Sequence, residues 1–353
     1  MQGASVRPFL STQLDRYAAK HIQEFLDIYV IVLDKRVLMS SEQPKKFYRY
    51  QQFNTRSVES LCHDNLYFAD PTSFNDPLDC DPDIESDSSR NDLRLILTEL
   101  ISRRIETEAV ASLKNMKFSG KNAVDHAKKL GEQSAKSELA YIEYQATNPE
   151  YKVKEEVAEC CLLTSKIQHE LINQYDRGVC CFSSVVDNPL LWSHYGDQHR
   201  GLCVGYSRDR SPLPKLHRVE YGGSRVVTTS LIAQAHLVKD PNSQELLDRS
   251  VLLRKASPWR YEREWRLIGN RGTQNSPLAL KDVTFGLRCP SAVTHAVVSS
   301  LESRDDKIKF YEMIKVSGSF KLKRRLLELA EMSAYLPNTA RSGIEIFGPI
   351  KED

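Results

Sequence analysis

Three separated segments of this chain set ionisable groups beside aromatic rings. The first joins Phe47-Tyr48-Arg49-Tyr50 to the run from Asn65 to Cys80, which contains Phe74-Asn75-Asp76-Pro77. The second is Leu191-Trp192-Ser193-His194-Tyr195-Gly196. The third is Trp259-Arg260-Tyr261-Glu262-Arg263-Glu264-Trp265-Arg266. Ordinary cores use Leu, Ile and Val. Charge set among aromatic rings is costly as plain packing and common at sites. Because the segments lie far apart, a shared site requires the fold to gather them.

Glu262 and Glu264 lie in or beside a predicted strand, where alternation would put both carboxylates on one face and Arg263 on the other. Two carboxylates at that range repel, so one pKa should rise. Such a pair can polarise a hydroxyl or stabilise a developing cation. An ion-pair ladder with Arg260, Arg263 and Arg266 would produce the same pattern. Arg49 offers a planar fork for phosphate or carboxylate and a plane that stacks on rings. Tyr48 and Tyr50 should point away from it on a regular strand. The competing reading of Arg49 is a buried anchor paired with Asp76 or Asp79. Ser193-His194-Tyr195 offers a hydroxyl, an imidazole and a phenol, but successive helical residues diverge. Asn75-Asp76-Pro77 reads as a turn, the alternative being that Asp76 and Asp79 face a ligand or hold Arg49.

The supporting elements follow from pattern. Residues 1–45 read as an amino-terminal helical extension, with apolar residues from Leu14 to Tyr29 at helical intervals. Strands are predicted at 47–53, 66–69, 179–182, 202–206, 217–221, 264–269 and 283–287. Thr55 is expected to cap a helix through Leu61. Asn188-Pro189 should open a short helix through Tyr195. Further helices are expected at 243–255, 292–300 and 305–314; 322–329 fits either state. Residues 92–175 are rich in Lys, Glu, Ala and Leu and read as a helical insert. Short strands among helices, without βαβ alternation, predict an α+β fold: a compact mixed or antiparallel sheet core within 46–329, followed by a tail at 330–353.

The chain has 353 residues, is 41% hydrophobic and 27% charged, and carries a net charge of +2. That balance makes no general case for nucleic-acid attraction, although local patches stay possible. No apolar run approaches the roughly 18–20 residues of a membrane helix. We therefore expect a cytoplasmic protein without a membrane partner. The eight cysteines form no C-x-x-C pair and are expected to be buried free thiols, with no metal site.

The ordered motifs Tyr48-Arg49-Tyr50, Leu66-Tyr67-Phe68, Phe74-Asn75-Asp76-Pro77, Cys181-Phe182-Ser183, Trp192-Ser193-His194-Tyr195, His199 to Tyr206 and Tyr261-Glu262-x-Glu264-Trp265-Arg266 resemble a bacterial family known as domain of unknown function twenty-nine seventy-one. The resemblance covers about Lys46 to Arg324 and implies no activity by itself. A weaker resemblance is to the ADP-ribosyltransferase superfamily, which orders an Arg, a Ser and an E-x-E along the chain. Arg49, Ser183 or Ser193, and Glu262-x-Glu264 stand in that order. The family's Ser-Thr-Ser strand motif has only a loose counterpart in Phe182-Ser183-Ser184.

That resemblance implies NAD as substrate. Arg49 would hold the pyrophosphate, Glu264 would stabilise the transition state, and Glu262 would prepare the acceptor. Tyr48, Tyr50, Trp192 and Tyr195 would supply a stacking wall. Ser193 and His194 complete the candidate catalytic set, and Asn75 and Asp76 the candidate ligand contacts. A role in bacterial defence, as a phage-defence effector or toxin, is the family-level expectation. Two alternatives are a binding module that docks a protein through 92–175, and a metal-dependent nuclease using Asp76, Asp79, Asp81 and Asp83.

Overall fold

Ten strands carry the architecture: β1 (Phe47–Gln51), β2 (Asn65–Phe68), β3 (Gly178–Ser183), β4 (Leu202–Ser207), β5 (His217–Arg218), β6 (Glu264–Gly269), β7 (Gly272–Asn275), β8 (Ala279–Phe285), β9 (Lys309–Lys315) and β10 (Leu322–Leu326). Eight form one sheet in the order β10-β9-β8-β4-β1-β3-β6-β5, while β2 and β7 pair apart from it. Every neighbouring pair in the large sheet is antiparallel except β8 and β9. This is the expected α+β fold with a mixed, mostly antiparallel sheet. The computed structural model describes residues 43–174 and 177–328, with positions 341, 342, 345, 346 and 348 beyond them. The expected amino-terminal helix and carboxy-terminal tail fall almost wholly outside these residues. The chain divides into two units between Lys45 and Lys46, and the elements above belong to the second.

The central strands are apolar on both faces because both faces are covered. Phe47, Phe182, Val204, Trp265, Leu267 and Phe285 bury one face, together with Leu61 of helix α1 (Thr55–Cys62). The other face meets a second core at Val179, built mainly from three helices: α2 (Arg90–Asn115), α3 (Lys121–Ala146) and α4 (Glu155–Gln174). Buried Glu159 and Glu170 on α4 accept from Arg94 and Arg104 of α2, which pins the two helices together. A third, smaller cluster packs Trp192 of α5 (Pro189–His194) against Cys203, Met313 and Tyr50. Two further helices, α6 (Pro241–Leu252) and α7 (Ser291–Leu301), complete the unit's labelled elements.

Four local expectations change. Residues 305–314 are not helical, since β9 occupies most of them. Phe310, Met313 and Ile314 have the i, i+3, i+4 spacing of a helix, but the strand lies between two cores. Phe310 buries in one core and Met313 in the other. Asn54 rather than Thr55 caps α1: its Oδ1 accepts from Ser57 N–H at 2.9 Å, and Ser57 Oγ accepts from Asn54 N–H at 2.8 Å. The strand at 217–221 breaks in two, with His217–Arg218 on β6 and Glu220–Tyr221 beside Arg254–Lys255. Helix α6 accordingly stops at Leu252, so Lys255 leaves the expected helix for an extended pairing.

All eight cysteines are free, but only Cys80, Cys180 and Cys203 are buried, while Cys62 and Cys161 are exposed. Among the described residues, no helix is long and apolar enough to cross a membrane.

Candidate functional site

The large sheet opens between β1 and β3. Strands β1 and β3 are neighbours yet align at a single pair, Tyr48 with Ser183. By contrast, β1 aligns five residues with β4, from Phe47 with Tyr206 to Gln51 with Leu202. Past the Tyr48–Ser183 pair the strands part, and a cavity of ≈ 220 Å³ is lined by Tyr48, Arg49 and Tyr50 from one side and by Cys181, Phe182 and Ser183 from the other. Alternation still turns Arg49 and its two tyrosines to opposite faces. All three line the cavity, since β1 has no strand pairing on its β3 side beyond Tyr48. Asn75, Tyr195, Lys255, Glu262 and Glu264 close it from the second face.

Glu262 and Glu264 meet in the cavity by a route that simple alternation does not provide. Glu262 ends a 3-10 turn, Ser257–Glu262, and Glu264 begins β6. Between them Arg263 takes a left-handed backbone, with φ at 48°. The kink brings both carboxylates to one ammonium: Lys255 Nζ lies 2.7 Å from Glu262 Oε2, 3.1 Å from Glu264 Oε2 and 3.3 Å from Asp79 Oδ2. Arg266 adds the second cation. Its Nη2 donates to both Asp79 oxygens at 2.9 and 2.7 Å, and its Nε donates to Glu264 Oε1 at 2.7 Å. These five side chains are at most 8% exposed, so the network sits in a low-dielectric setting. Three carboxylates against two cations leave the network one negative charge, and Arg49 adds a further cation to the cavity lining.

The two glutamates differ in their environments. Burial alone would raise the Glu264 carboxyl, but Arg266 and Lys255 pull it down to about 2, so it stays an anion. Burial raises Glu262, and Lys255 offsets this only in part because Glu264 adds repulsion. Tyr195 donates its phenol proton to Glu262 Oε1 at 2.7 Å, and burial followed by the Glu262 charge raises that phenol's pKa. Burial opposes the Lys255 charge, yet Glu264, Asp79 and Glu262 together hold its pKa above the ordinary value.

The cavity collects Arg49, Tyr48, Tyr50, Asn75, Tyr195, Glu262 and Glu264 from the sequence-derived set. Arg49 donates to the Tyr67 carbonyl at 3.3 Å and has no carboxylate partner among the described residues. The expected pairing of Arg49 with Asp76 or Asp79 is absent because Asp79 is committed to Arg266 and Lys255.

Four candidates do not line the cavity. Trp192 is fully buried one layer behind Tyr50, with ring centroids 5.1 Å apart, and donates its Nε1–H to Val186 O. It supports the wall without forming it. Ser193 donates to the Pro189 carbonyl at 2.9 Å on the exposed side of α5. His194 faces Trp259 and Tyr261 instead. Successive residues on α5 diverge, so of Ser193, His194 and Tyr195 only Tyr195, just past the helix, lines the cavity. Asp76 accepts from the Leu78 N–H at 3.0 Å as a turn residue and lines an adjoining pocket.

Of the two serines weighed for the middle strand, Ser183 is the one in the cavity, and it is buried. Its Oγ donates to the Glu262 carbonyl at 2.6 Å and accepts from Val185 N–H at 3.1 Å, which ties β3 to the acidic turn.

Lys255 and the inward role of Arg266 were missed at the level of sequence. A lysine at the end of a predicted helix gives no site signal of its own, and Arg266 reads as a rung of an ion-pair ladder. The density of acids and aromatics immediately downstream of Lys255 was the available signal. The four loop aspartates are dispersed: Asp79 is in the buried network, Asp81 pairs with Arg225, Asp76 caps a turn, and Asp83 starts a short strand. Among the described residues, no group of three or more His, Cys, Asp or Glu is placed to hold a metal ion.

No family model matches this chain, and no curated protein or solved structure matches it either.

Proposed function

We propose that the β1–β3 cleft binds NAD and that the protein is an ADP-ribosyltransferase-like enzyme. One observation carries this reading: Arg49, Ser183 and Glu264 stand on three consecutive strands, with Tyr48, Ser183 and Glu264 in one line of register across them. An Arg without a carboxylate partner suits a pyrophosphate oxygen. A cavity of ≈ 220 Å³ accommodates an aromatic ring and part of a sugar, and the remainder of a dinucleotide would extend through its mouth.

In the reaction, the bond between the nicotinamide nitrogen and the ribose carbon breaks, and nicotinamide leaves with the electron pair. Glu264, fixed as an anion, stabilises the oxocarbenium-like cation electrostatically. Glu262, held above the usual carboxylate range, takes the proton of the acceptor as the acceptor bonds to the ribose carbon. Ser183 positions the Glu262 backbone and so acts through it. Within this proposal the protein works in the cytoplasm as a bacterial defence effector or toxin, and it belongs with the resembled family of bacterial domains.

A second reading has its own support. Every oxygen of Glu262 and Glu264 already accepts a hydrogen bond from a protein group. A cleft so satisfied suits a module that binds a nucleotide without consuming it, with a protein partner on the helical face. Incubation with NAD labelled in the nicotinamide ring separates the two readings. Release of nicotinamide by the wild type, lost in a folded Glu264→Gln variant, supports the transferase. Tight binding without release transfers the site to the binding reading. Undiminished release by Glu264→Gln with native circular dichroism overturns the proposed mechanism.

A further inference from the structure

A second polar cavity lies on the helical side of the unit and shares no lining residue with the β1–β3 cleft. Its volume is ≈ 580 Å³, within the usual size of small-molecule pockets. Arg103, Arg104, Thr107 and Glu108 come from α2, Leu171 and Asn173 from the end of α4, and Gln244 and Asp248 from α6. Arg177 and His236 complete the wall.

His236 is the informative residue. It lies in a π-helical turn, Gln234–Val238, which follows the helix Thr229–Ala233 directly. Single π turns inside helices are frequent at functional sites because the widened turn re-aims a side chain. His236 is only 8% exposed, yet neither ring nitrogen has a hydrogen-bond partner among the described residues. Leaving a buried polar atom unsatisfied costs about 1–3 kcal/mol, so two vacant nitrogens facing a cavity call for an occupant. Burial, followed by the Arg103 charge, pushes the imidazole below its ordinary pKa. The neutral ring then offers one donor and one acceptor.

The charges indicate the class of occupant. Arg104 is spoken for: it donates to Glu170 at 2.7 and 3.0 Å and to Glu108 at 3.3 Å. Asp248 accepts from Gln244 Nε2 at 2.9 Å. Arg103 and Arg177 have no carboxylate partner among the described residues. Two guanidiniums free of a salt bridge among the described residues match a phosphate in geometry, with Asp248 the one wall carboxylate outside the Arg104 pairs. The cavity is larger than a bare phosphate needs, and the imidazole with the Asn173 and Gln244 amides can meet an uncharged polar portion.

We propose that this cavity is a binding site for a phosphorylated small molecule of about nucleotide size, with Arg103 and Arg177 on the phosphate and His236 on the uncharged part. The inference stands independently of the reading of the β1–β3 cleft.

Titration calorimetry on the full chain tests it, with pyrophosphate and adenosine monophosphate as probes and adenosine as the uncharged control. The wild type is expected to bind both phosphates and to bind adenosine far more weakly. The double variant Arg103→Ala/Arg177→Ala should weaken phosphate binding by about tenfold or more, as for loss of charge-assisted contacts. Both arginines are exposed, so this variant should keep the wild-type circular dichroism and melting curve. His236→Gln should weaken the monophosphate more than pyrophosphate. Absence of phosphate binding by the wild type, or equal affinity in the double variant, would overturn the assignment.

Discussion

Lys255→Met is the sharpest probe of the buried charge network. The substitution keeps the length of the side chain and removes its charge. One contact of the Lys255 kind, at about 3 Å and an effective dielectric of about 20, is worth roughly 5–6 kcal/mol of gross Coulomb attraction. Lys255 makes three, to Glu262, Glu264 and Asp79. Desolvation of the ammonium cancels most of that sum. Removal of one member of a buried network nevertheless costs about 3–5 kcal/mol net, because the remaining charges are left uncompensated. Three carboxylates would then face Arg266 alone.

Relief comes through protonation of Glu262, whose pKa already lies above the ordinary value and would lose its chief opposing influence. A group with a raised folded pKa stabilises the fold below its unfolded value of about 4.3, and that stabilisation fades as pH rises through the folded pKa. The deficit of Lys255→Met is therefore expected to be largest at pH 8 and to shrink toward pH 5. Urea denaturation of wild type and variant across that range measures it. A deficit below about 1 kcal/mol, the ordinary value for an exposed pair, would refute the network argument. So would a deficit that does not change with pH.

Glu264 sets an opposite limit in the wild type. Its folded pKa of about 2 lies below its unfolded value, so its stabilisation is present above about pH 4.3 and is lost as pH falls toward 2. Acid titration followed by circular dichroism should show that loss, and Glu264→Gln should flatten it. Tyr195→Phe removes the phenol donor from Glu262 and should destabilise the fold by about 1.5–3 kcal/mol, the range for a hydrogen bond to a charged group. It should also move any pH optimum of nicotinamide release upward, which a pH–rate profile reads. Gly205→Ala should be severely destabilising, because a Cβ there overlaps the Asp282 carboxylate, which is fully buried and bonded to Lys46 and Arg324. Thermal denaturation checks this, and a melting point unchanged from wild type would show that the strand can shift to make room.

Much of the scaffold was legible because its determinants are local. The β6 span 264–269 and the start of α5 at Pro189 follow from alternation and from proline's fixed φ. The 90–174 helices follow from composition, since Lys, Glu, Ala and Leu lose little rotamer freedom in a helix. Local pattern failed where tertiary packing sets the outcome. β9 carries a helical spacing of apolar residues but is sandwiched between two cores.

The types of residue in the cleft were likewise present in the sequence: a guanidinium among tyrosines, an acidic doublet and a tyrosine after α5. Their relation was not. Whether Arg49 or Arg266 takes Asp79 depends on which strand carries each and how far β1 departs from β3. Lys255 joins the acids only because Glu220–Tyr221 draws Arg254–Lys255 out of a helix into a strand pairing. Local chemistry acts over a few residues through the backbone, whereas the opening of the sheet and the sharing of one ammonium by three carboxylates arise from contacts between segments far apart in the chain.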